Sequence, residues 1–188
     1  EPTLCVGSFT DVTEHKAAEG RIEHLAFFDT LTGLPNRRQL QDQLQQVLAG
    51  CHRQGQAGAV LLIDLDDFKT LNDTLGHDMG DLLLQHMTAR LQTCLGEHDT
   101  LARWGGDEFV VVMQGLSPVS AEATGQAHAL AARCLSLLSQ SCDLAGQEYH
   151  ISCSIGITLF GTPPPVNLDE LMRQADLAMS EAKAAGRH

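Results

Sequence analysis

The spacing of apolar residues divides this chain of 188 residues into alternating helical and strand-like segments. A continuous apolar run at residues 59 to 63 is typical of a strand that is buried on both faces. Leucines and methionines at helical spacing over residues 78 to 95 predict a long helix with one buried face. Two more strands are predicted at residues 100 to 103 and 108 to 113, because the glycines between them can take the positive φ of a hairpin turn.

Capping residues and prolines mark where other elements begin. Asn36 and Asn167 are expected to cap two further helices, and Pro118 is expected at the first position of another. Residues 144 to 160 are predicted to form a hairpin or a bent strand. The order of helix, strand, helix, hairpin, helix, strand and helix predicts an α/β fold in which helices cover a mixed sheet.

The first 28 residues follow a different pattern. Residues 4 to 10 have the composition of a short strand that has no partner in the chain. A capping box at Asp11 and Glu14 then begins a predicted helix, whose apolar residues recur at helical spacing as far as Leu25. This apolar seam either pairs with a second helix, as in a coiled coil, or packs against the chain's own domain.

Composition narrows the classes of partner. The chain carries 12 Lys and Arg against 24 Asp and Glu, and a surface with a net charge of −12 repels a nucleic-acid backbone. No apolar run approaches the roughly 20 residues that cross a bilayer. Six cysteines without a C-x-x-C pair are expected to be reduced, mostly buried thiols. We therefore expect a soluble, cytoplasmic fragment that contacts neither nucleic acid nor membrane; a membrane anchor elsewhere in a longer parent protein stays open.

Three carboxylates lie where the predicted strands would meet. Asp64 ends the buried strand, and Asp107 and Glu108 lie at the hairpin, so neighbouring strands would bring them to one end of the sheet. Clustered negative charges repel each other unless a cation neutralises them. Oxygen ligands without histidine or cysteine favour Mg²⁺ or Mn²⁺. The alternative is that Asp64 and Asp66 cap the following turn, and for Asp66 and its neighbour Asp67 we prefer this interpretation.

Candidate phosphate contacts lie at two places in the chain. After Asp67, the backbone N–H groups at the start of a helical turn would form a cradle around Phe68 and Lys69. Lys183 and Arg187, four residues apart near the C-terminus, could bind outer phosphates. From spacing alone, we prefer the interpretation that these two cations complement a helix dipole.

Five short stretches form an ordered set. They are DTLTGLPNRR (29 to 38), DLDDFKTLNDTLGHDMGD (64 to 81), RWGGDEF (103 to 109), SIGI (154 to 157) and AKAAGR (182 to 187). In this order the chain resembles the GGDEF domain, the diguanylate cyclase family, over nearly its whole length. A single G-G-D-E-F arises by chance fairly often, whereas five ordered motifs do not.

The resemblance implies a fold and a reaction. The expected fold is a palm-like α+β domain, as in nucleotidyl cyclases, with helices flanking a mixed, mainly antiparallel five-stranded sheet. Two GTP molecules would condense to cyclic di-GMP and two pyrophosphates across a homodimer, in which each 3′-hydroxyl attacks the other nucleotide's α-phosphate. Two Mg²⁺ (or Mn²⁺) ions per active site would suit such chemistry, because paired metal ions clamp the attacking and leaving oxygens.

The resemblance also assigns metal ligands. Asp64, Asp107 and the carbonyl group of Leu65 correspond to ligands of the metal ions. Glu108 corresponds either to a further ligand or to the group that helps to deprotonate the 3′-hydroxyl.

Nucleotide contacts are implied in the same way. Asn72 and Asp81 correspond to the residues that recognise guanine. A carboxylate can accept hydrogen bonds from the N1–H and N2–H₂ groups of guanine. Gly105 and Gly106 would close the hairpin and let the nucleotide approach the backbone.

For the phosphates, the resemblance favours a binding role. Phe68 and Lys69 correspond to the phosphate cradle, and Lys183 and Arg187 to the side chains that bind the terminal phosphates.

One departure from the family concerns product inhibition. Many members carry Arg-x-x-Asp shortly before the signature, but here Gly96 stands in place of the arginine, while Asp99 is present. Without the guanidinium, which binds phosphate or guanine through two parallel hydrogen bonds, we expect weak or absent feedback inhibition at this place.

The domain organisation follows from the same comparison. Residues 1 to 28 resemble the end of a PAS sensor domain that continues into a signalling helix, and residues 29 to 188 would form the GGDEF domain. The leading hypothesis is an active diguanylate cyclase of a bacterial signalling protein. The alternative is a catalytically silent GTP-binding regulatory domain, for example one that precedes a cyclic di-GMP phosphodiesterase domain. A pure interaction module would require the carboxylates to be incidental.

Overall fold

The structure, a computed structural model, describes residues 24–161 and 166–185. The strand and most of the helix predicted near the N-terminus lie outside these residues, and so does Arg187. Residues 24 to 27 are helical. The elements that follow, in chain order, are α1 (Arg37–Gln54), β1 (Ala57–Leu65), α2 (Phe68–Leu75), α3 (His77–Cys94), β2 (Thr100–Gly105), β3 (Glu108–Leu116), α4 (Ser120–Leu138), β4 (Cys142–Leu144), β5 (Gln147–Tyr149), β6 (Cys153–Phe160) and α5 (Leu168–Ala184).

The central sheet has the strand order β2-β3-β1-β6. Every neighbouring pair is antiparallel, and Leu62 in the middle of β1 lies opposite Val110 of β3 and Gly156 of β6. The predicted α+β class is confirmed, but the described residues contain four strands in this sheet rather than five, and none is parallel. Strands β4 and β5 pair only with each other, because a tight turn joins them into a separate short hairpin.

Helices cover both faces of the sheet. Alternate residues of β1 point to opposite faces, so Leu61 and Ile63 pack with α3 and α4, whereas Val60 and Leu62 pack with α1 and α5. This two-sided burial explains the continuous apolar run that predicted the strand.

The helix caps follow the sequence in two of three cases. The side-chain oxygen of Asn36 accepts from Gln39 N at 3.1 Å, and that of Asn167 accepts from Glu170 N at 2.8 Å. Pro118 is not at the first helical position, because α4 begins only at Ser120. Five cysteines of the described residues are free and buried, as their spacing predicts.

A close crossing of α5 over β6 sets the position of the last helix. A Cβ at Gly156 would overlap the carbonyl oxygen of Ala175 and the backbone nitrogen of Met179. Glycine therefore allows the backbone of α5 to lie directly on the strand. This contact fixes where the C-terminal turns of α5, including Lys183, reach the end of the sheet.

Candidate active site

Strand pairing brings the predicted carboxylates to one end of the sheet. Asp64 of β1 lies directly opposite Glu108 of β3. The backbone N–H of Leu65 donates to the carbonyl oxygen of Asp107 at 3.4 Å, which ties the end of β1 to the hairpin. Residues more than 40 positions apart in the chain thus form one acidic cluster at the edge of the sheet.

The glycine pair makes the hairpin turn. Gly106 has φ of +51°, a conformation that side chains with a Cβ rarely adopt, and Gly105 pairs with Glu108 beside a bulge in β2. A Cβ at either glycine would meet nothing within 4 Å. The turn therefore opens into free space immediately beside Asp107.

Arg103 holds this turn in place. Its Nε and Nη2 donate to the carbonyl oxygen of Gly106 at 3.0 and 2.8 Å, and its Nη1 donates to Asp29 at 3.0 Å. Burial alone would raise the pKa of Asp29, but hydrogen bonds from Thr32 and Arg103 lower it overall. Arg103 therefore links the turn to the DTLTG stretch.

The negative charge of the cluster is only partly compensated. Burial raises the pKa values of Asp107 and Glu108, and the charge of Asp64 raises them further. The ammonium group of Lys183 opposes this effect, and it lies 2.7 Å from Asp64 Oδ1. Asp176 also raises the pKa of Glu108.

Asp176 was missed by the sequence reasoning. It precedes Lys183 by seven residues, two turns of the same helix, and this spacing could have placed it on the face that reaches the cluster.

Asp66 and Asp67 do not cap the turn with their side chains, so the preferred interpretation was wrong. Asp66 is buried and accepts from Ser152 Oγ at 2.6 Å and Ser154 Oγ at 2.9 Å. It therefore fastens the end of β1 to β6. Asp67 precedes α2 in a left-handed conformation, with φ of 57°, and makes no side-chain cap.

The predicted phosphate cradle is the first turn of α2. Phe68 is buried in the core, and Lys69 is exposed on the surface. The side chain of Phe68 anchors this turn next to the end of β1. Any phosphate contact by Phe68 would therefore come from its backbone.

The predicted guanine residues lie on two packed helices. The amide oxygen of Asn72 is buried without a hydrogen-bond partner, and it packs against Gly80 of α3 so closely that a Cβ there would overlap it. Asp81, the next residue, is exposed. The structure thus brings Asn72 and the first turns of α3 together, beside the cradle.

The donor set suits a hard divalent cation. In the described parts of the chain, no three His, Cys, Asp or Glu side chains are arranged as a ready metal site. Mg²⁺ usually takes only one or two protein carboxylates, and Asp64 with Asp107 can supply them. The ammonium group of Lys183 lies 2.7 Å from Asp64 Oδ1, so a metal ion held by Asp64 would share this carboxylate with it.

Two of the remaining predictions have different outcomes. Lys183 reaches the cluster, where it contacts Asp64 rather than standing apart from it. Arg187 lies outside the described residues, so its phosphate role stays a prediction.

Among the helices that the structure describes, none is long and apolar enough to span a membrane.

Comparison with known proteins agrees with this geometry. The family "Diguanylate cyclase, GGDEF domain" matches residues 26–188. The chain is 40% identical over 171 residues to the bifunctional diguanylate cyclase/cyclic di-GMP phosphodiesterase MucR of Pseudomonas aeruginosa, covering 91% of this chain and 24% of that protein. It is 38% identical over 186 residues to the cyclic di-GMP phosphodiesterase PdeR of Escherichia coli, covering 98% and 26%. The chain thus spans about a quarter of the length of these relatives.

A solved structure shows the same fold. A sensory box/GGDEF family protein from Caulobacter crescentus superposes with a TM-score of 0.75 at 37% identity, covering 85% of this chain and 99% of that one. The family match covers most of the chain and includes the hairpin, the acidic cluster and the helix that carries Lys183. The chain therefore belongs to the diguanylate cyclase, GGDEF domain family.

Proposed function

We propose that this domain is a diguanylate cyclase that condenses two GTP molecules to cyclic di-GMP and two pyrophosphates. The observation that carries the proposal is the convergence of Asp64, Asp107 and Glu108 with Lys183 at one end of the sheet. In a homodimer, each domain holds one GTP and presents its 3′-hydroxyl to the α-phosphate of the other. Each attack forms one phosphodiester bond and releases one pyrophosphate.

The acidic cluster would hold the reacting atoms. Asp64, Asp107 and the Leu65 carbonyl would bind two Mg²⁺ or Mn²⁺ ions, which when bound supply positive charge to the attacking and leaving oxygens. Glu108 would be a further ligand or would accept the proton of the 3′-hydroxyl. Burial and the charge of Asp64 raise the pKa of Glu108, and bound cations would oppose this effect.

The surrounding elements would select and position GTP. Asn72 and Asp81 would recognise the guanine edge, in keeping with the exposed carboxylate of Asp81. The backbone of Phe68 and Lys69 would bind the inner phosphates. Lys183 and Arg187 would bind the terminal phosphates, and a shared contact of Lys183 with Asp64 would link phosphate binding to the acidic cluster.

A silent regulatory domain is the second candidate. It is favoured by one relative, because PdeR is named as a cyclic di-GMP phosphodiesterase and this chain covers only 26% of that protein. In that case the domain would bind GTP without turnover. Under either candidate, we propose a cytoplasmic multidomain parent in which residues 1 to 28 connect a PAS-like domain to the GGDEF domain.

Product analysis tests the proposal. The fragment is incubated with GTP and Mg²⁺ over a range of protein concentrations, and cyclic di-GMP and pyrophosphate are quantified. We expect two pyrophosphates per cyclic di-GMP and a specific rate that rises with protein concentration, because two domains must meet. GTP binding without product at high protein concentration would establish the silent alternative. A Glu108→Gln variant is the matched control for contaminating activity.

A further inference from the structure

A cavity that contains several arginines lies beside the signature hairpin. It encloses about 460 Å³, and we call it the arginine cavity. Its lining residues are Asp29, Asn36, Arg37, Arg38, Arg103, Trp104, Gly105 and Gly106. Gly105 and Gly106 are shared with the turn that precedes Asp107, so the cavity adjoins the acidic cluster.

Two guanidinium groups in this cavity donate to no other side chain among the described residues. Arg37 lies over the ring of Trp104, 4.4 Å from its centroid, and Arg38 lies 5.0 Å from that of Phe27. Both arginines are exposed, and no carboxylate among the described residues forms an ion pair with either. Stacking orients a guanidinium but leaves its N–H edge free to bind an anion.

The other polar groups of the arginine cavity are already engaged. Arg103 binds Asp29 and the Gly106 carbonyl. Asn36 accepts from Gln39 and donates to Ala26. Any anion that enters would therefore be met by Arg37 and Arg38. In a chain with a net charge of −12, two neighbouring arginines without an ion pair to any described residue form a marked local exception.

The position of the cavity separates it from the domain's own nucleotide site. Arg103 and Trp104 belong to β2, which is the edge strand of the sheet. Asp64 and Lys183 lie on the opposite side of β3, on β1 and α5. The proposed cradle at the start of α2 follows β1, two strands away from the β2 residues that line the arginine cavity.

We propose that the arginine cavity binds a phosphate group of the guanine nucleotide held by a second copy of this chain, so that Arg37 and Arg38 act across the dimer. This inference rests on the proposed function, in which the two hairpins face each other. Arginine suits the role because its planar fork binds phosphate through two hydrogen bonds and is always charged. The same phosphate chemistry could also come from free cyclic di-GMP, which the experiment separates.

The test uses the double variant Arg37→Gln/Arg38→Gln. The matched control is Arg53→Gln, an exposed arginine on the same helix that does not line the cavity. Sedimentation velocity with Mg²⁺ and a non-reactive GTP analogue measures nucleotide-dependent dimerisation. We expect wild type and Arg53→Gln to dimerise alike, and the double variant to need at least about tenfold more protein, the effect of losing one charged hydrogen bond.

Two further readouts do not depend on turnover. Calorimetry should give the same affinity of the single domain for the analogue, within about twofold, in all three proteins, because neither Arg37 nor Arg38 is among the residues proposed to bind the domain's own nucleotide. Trp104 is the only tryptophan in the chain, so its fluorescence should change only at protein concentrations at which dimers form.

Several outcomes would overturn the proposal. Unchanged nucleotide-dependent dimerisation in the double variant would do so, and so would the absence of such dimerisation in wild type. Loss of cyclic di-GMP binding with dimerisation retained would assign the cavity to the free dinucleotide instead. Absence of turnover in wild type, with dimerisation and its arginine dependence intact, would remove the cyclase activity but leave this contact standing.

Discussion

The carboxylates at the end of the sheet differ in how their charge is compensated. Asp64 is paired with the ammonium group of Lys183 at 2.7 Å. Asp107 and Glu108 are partly buried beside it, and burial and neighbouring negative charge raise their pKa values. At the scale of single residues, the site therefore stores electrostatic repulsion that a bound cation can relieve.

Replacing Glu108 should separate stability from activity. Because the folded-state pKa of Glu108 is raised, ionised Glu108 disfavours folding, and that penalty is present above the folded pKa and disappears below the ordinary value of 4.5. At pH 7 without divalent cations, Glu108→Gln should raise the melting temperature slightly, by an amount equivalent to at most about 1 kcal/mol. The gain should shrink as the pH falls toward 4. The same variant should lose turnover and keep some GTP binding.

Thermal unfolding over this pH range and calorimetry with GTP would measure both effects. A melting temperature lowered at pH 7 would contradict the inferred repulsion. Loss of turnover and GTP binding together would mean that Glu108 mainly organises the site.

Divalent-cation binding should be sensitive to mild acid. At the proposed metal site a cation would bind the ionised forms of Asp107 and Glu108, and their raised pKa values bring protonation closer to neutral pH. We expect the affinity for Mg²⁺, measured by calorimetry in the presence of a GTP analogue, to fall as the pH is lowered from 7 to 5. An affinity that does not change over this range would show that these carboxylates do not bind the metal ion.

At the scale of elements, close backbone contacts position the functional side chains. The helix that carries Lys183 lies directly on β6 at Gly156. Asp66 fastens the end of β1 to β6 through Ser152 and Ser154, and Arg103 fastens the signature turn. The site is thus built at the junctions between elements.

Substituting Gly156 tests the helix contact. Gly156→Ala should destabilise the domain by about 1–3 kcal/mol, because the added Cβ would overlap Ala175 and Met179 of α5. It should also weaken GTP binding by displacing Lys183. Urea unfolding measures the loss, and Gly125→Ala, at an exposed helical position with open space around it, is the matched control. That control should leave stability unchanged or raise it by up to about 1 kcal/mol. Equal stability of the two variants would mean that α5 can move away at little cost.

For the whole molecule, the loop before β2 decides whether cyclic di-GMP can bind there and inhibit the domain. Asp99 Oδ2 accepts from the backbone N–H of Gly96 at 2.9 Å, so this carboxylate closes its own turn. No arginine side chain is present at position 96 to bind a phosphate or a guanine.

Cyclic di-GMP should therefore bind weakly at this loop. We expect calorimetry to give a dissociation constant above about 1 µM for this site, and accumulated product not to slow turnover through it. Sub-micromolar binding that Asp99→Ala abolishes would contradict this prediction.

The local sequence alone determined much of the architecture. Periodicity and caps located the buried strand, the long helices and the hairpin, because these depend on residues that are near in the chain. The ordered motifs identified the family and its candidate residues. Among the described residues the sheet has four strands, one fewer than expected, because whether the β4–β5 hairpin joins the sheet depends on distant contacts.

Only the tertiary structure decided which groups neutralise the carboxylates of the site and which hydrogen bonds hold its strands and turn in place. The Lys183–Asp64 contact spans 119 residues, and the Arg103–Asp29 contact spans 74. Asp66 pointed toward a turn cap by its position in the chain, but the strand pairing placed two serine hydroxyls within its reach. Such partners are set by which strands and helices become neighbours, and no local pattern encodes that proximity. The sequence therefore determined which chemical groups are present, and the fold determined which of them meet.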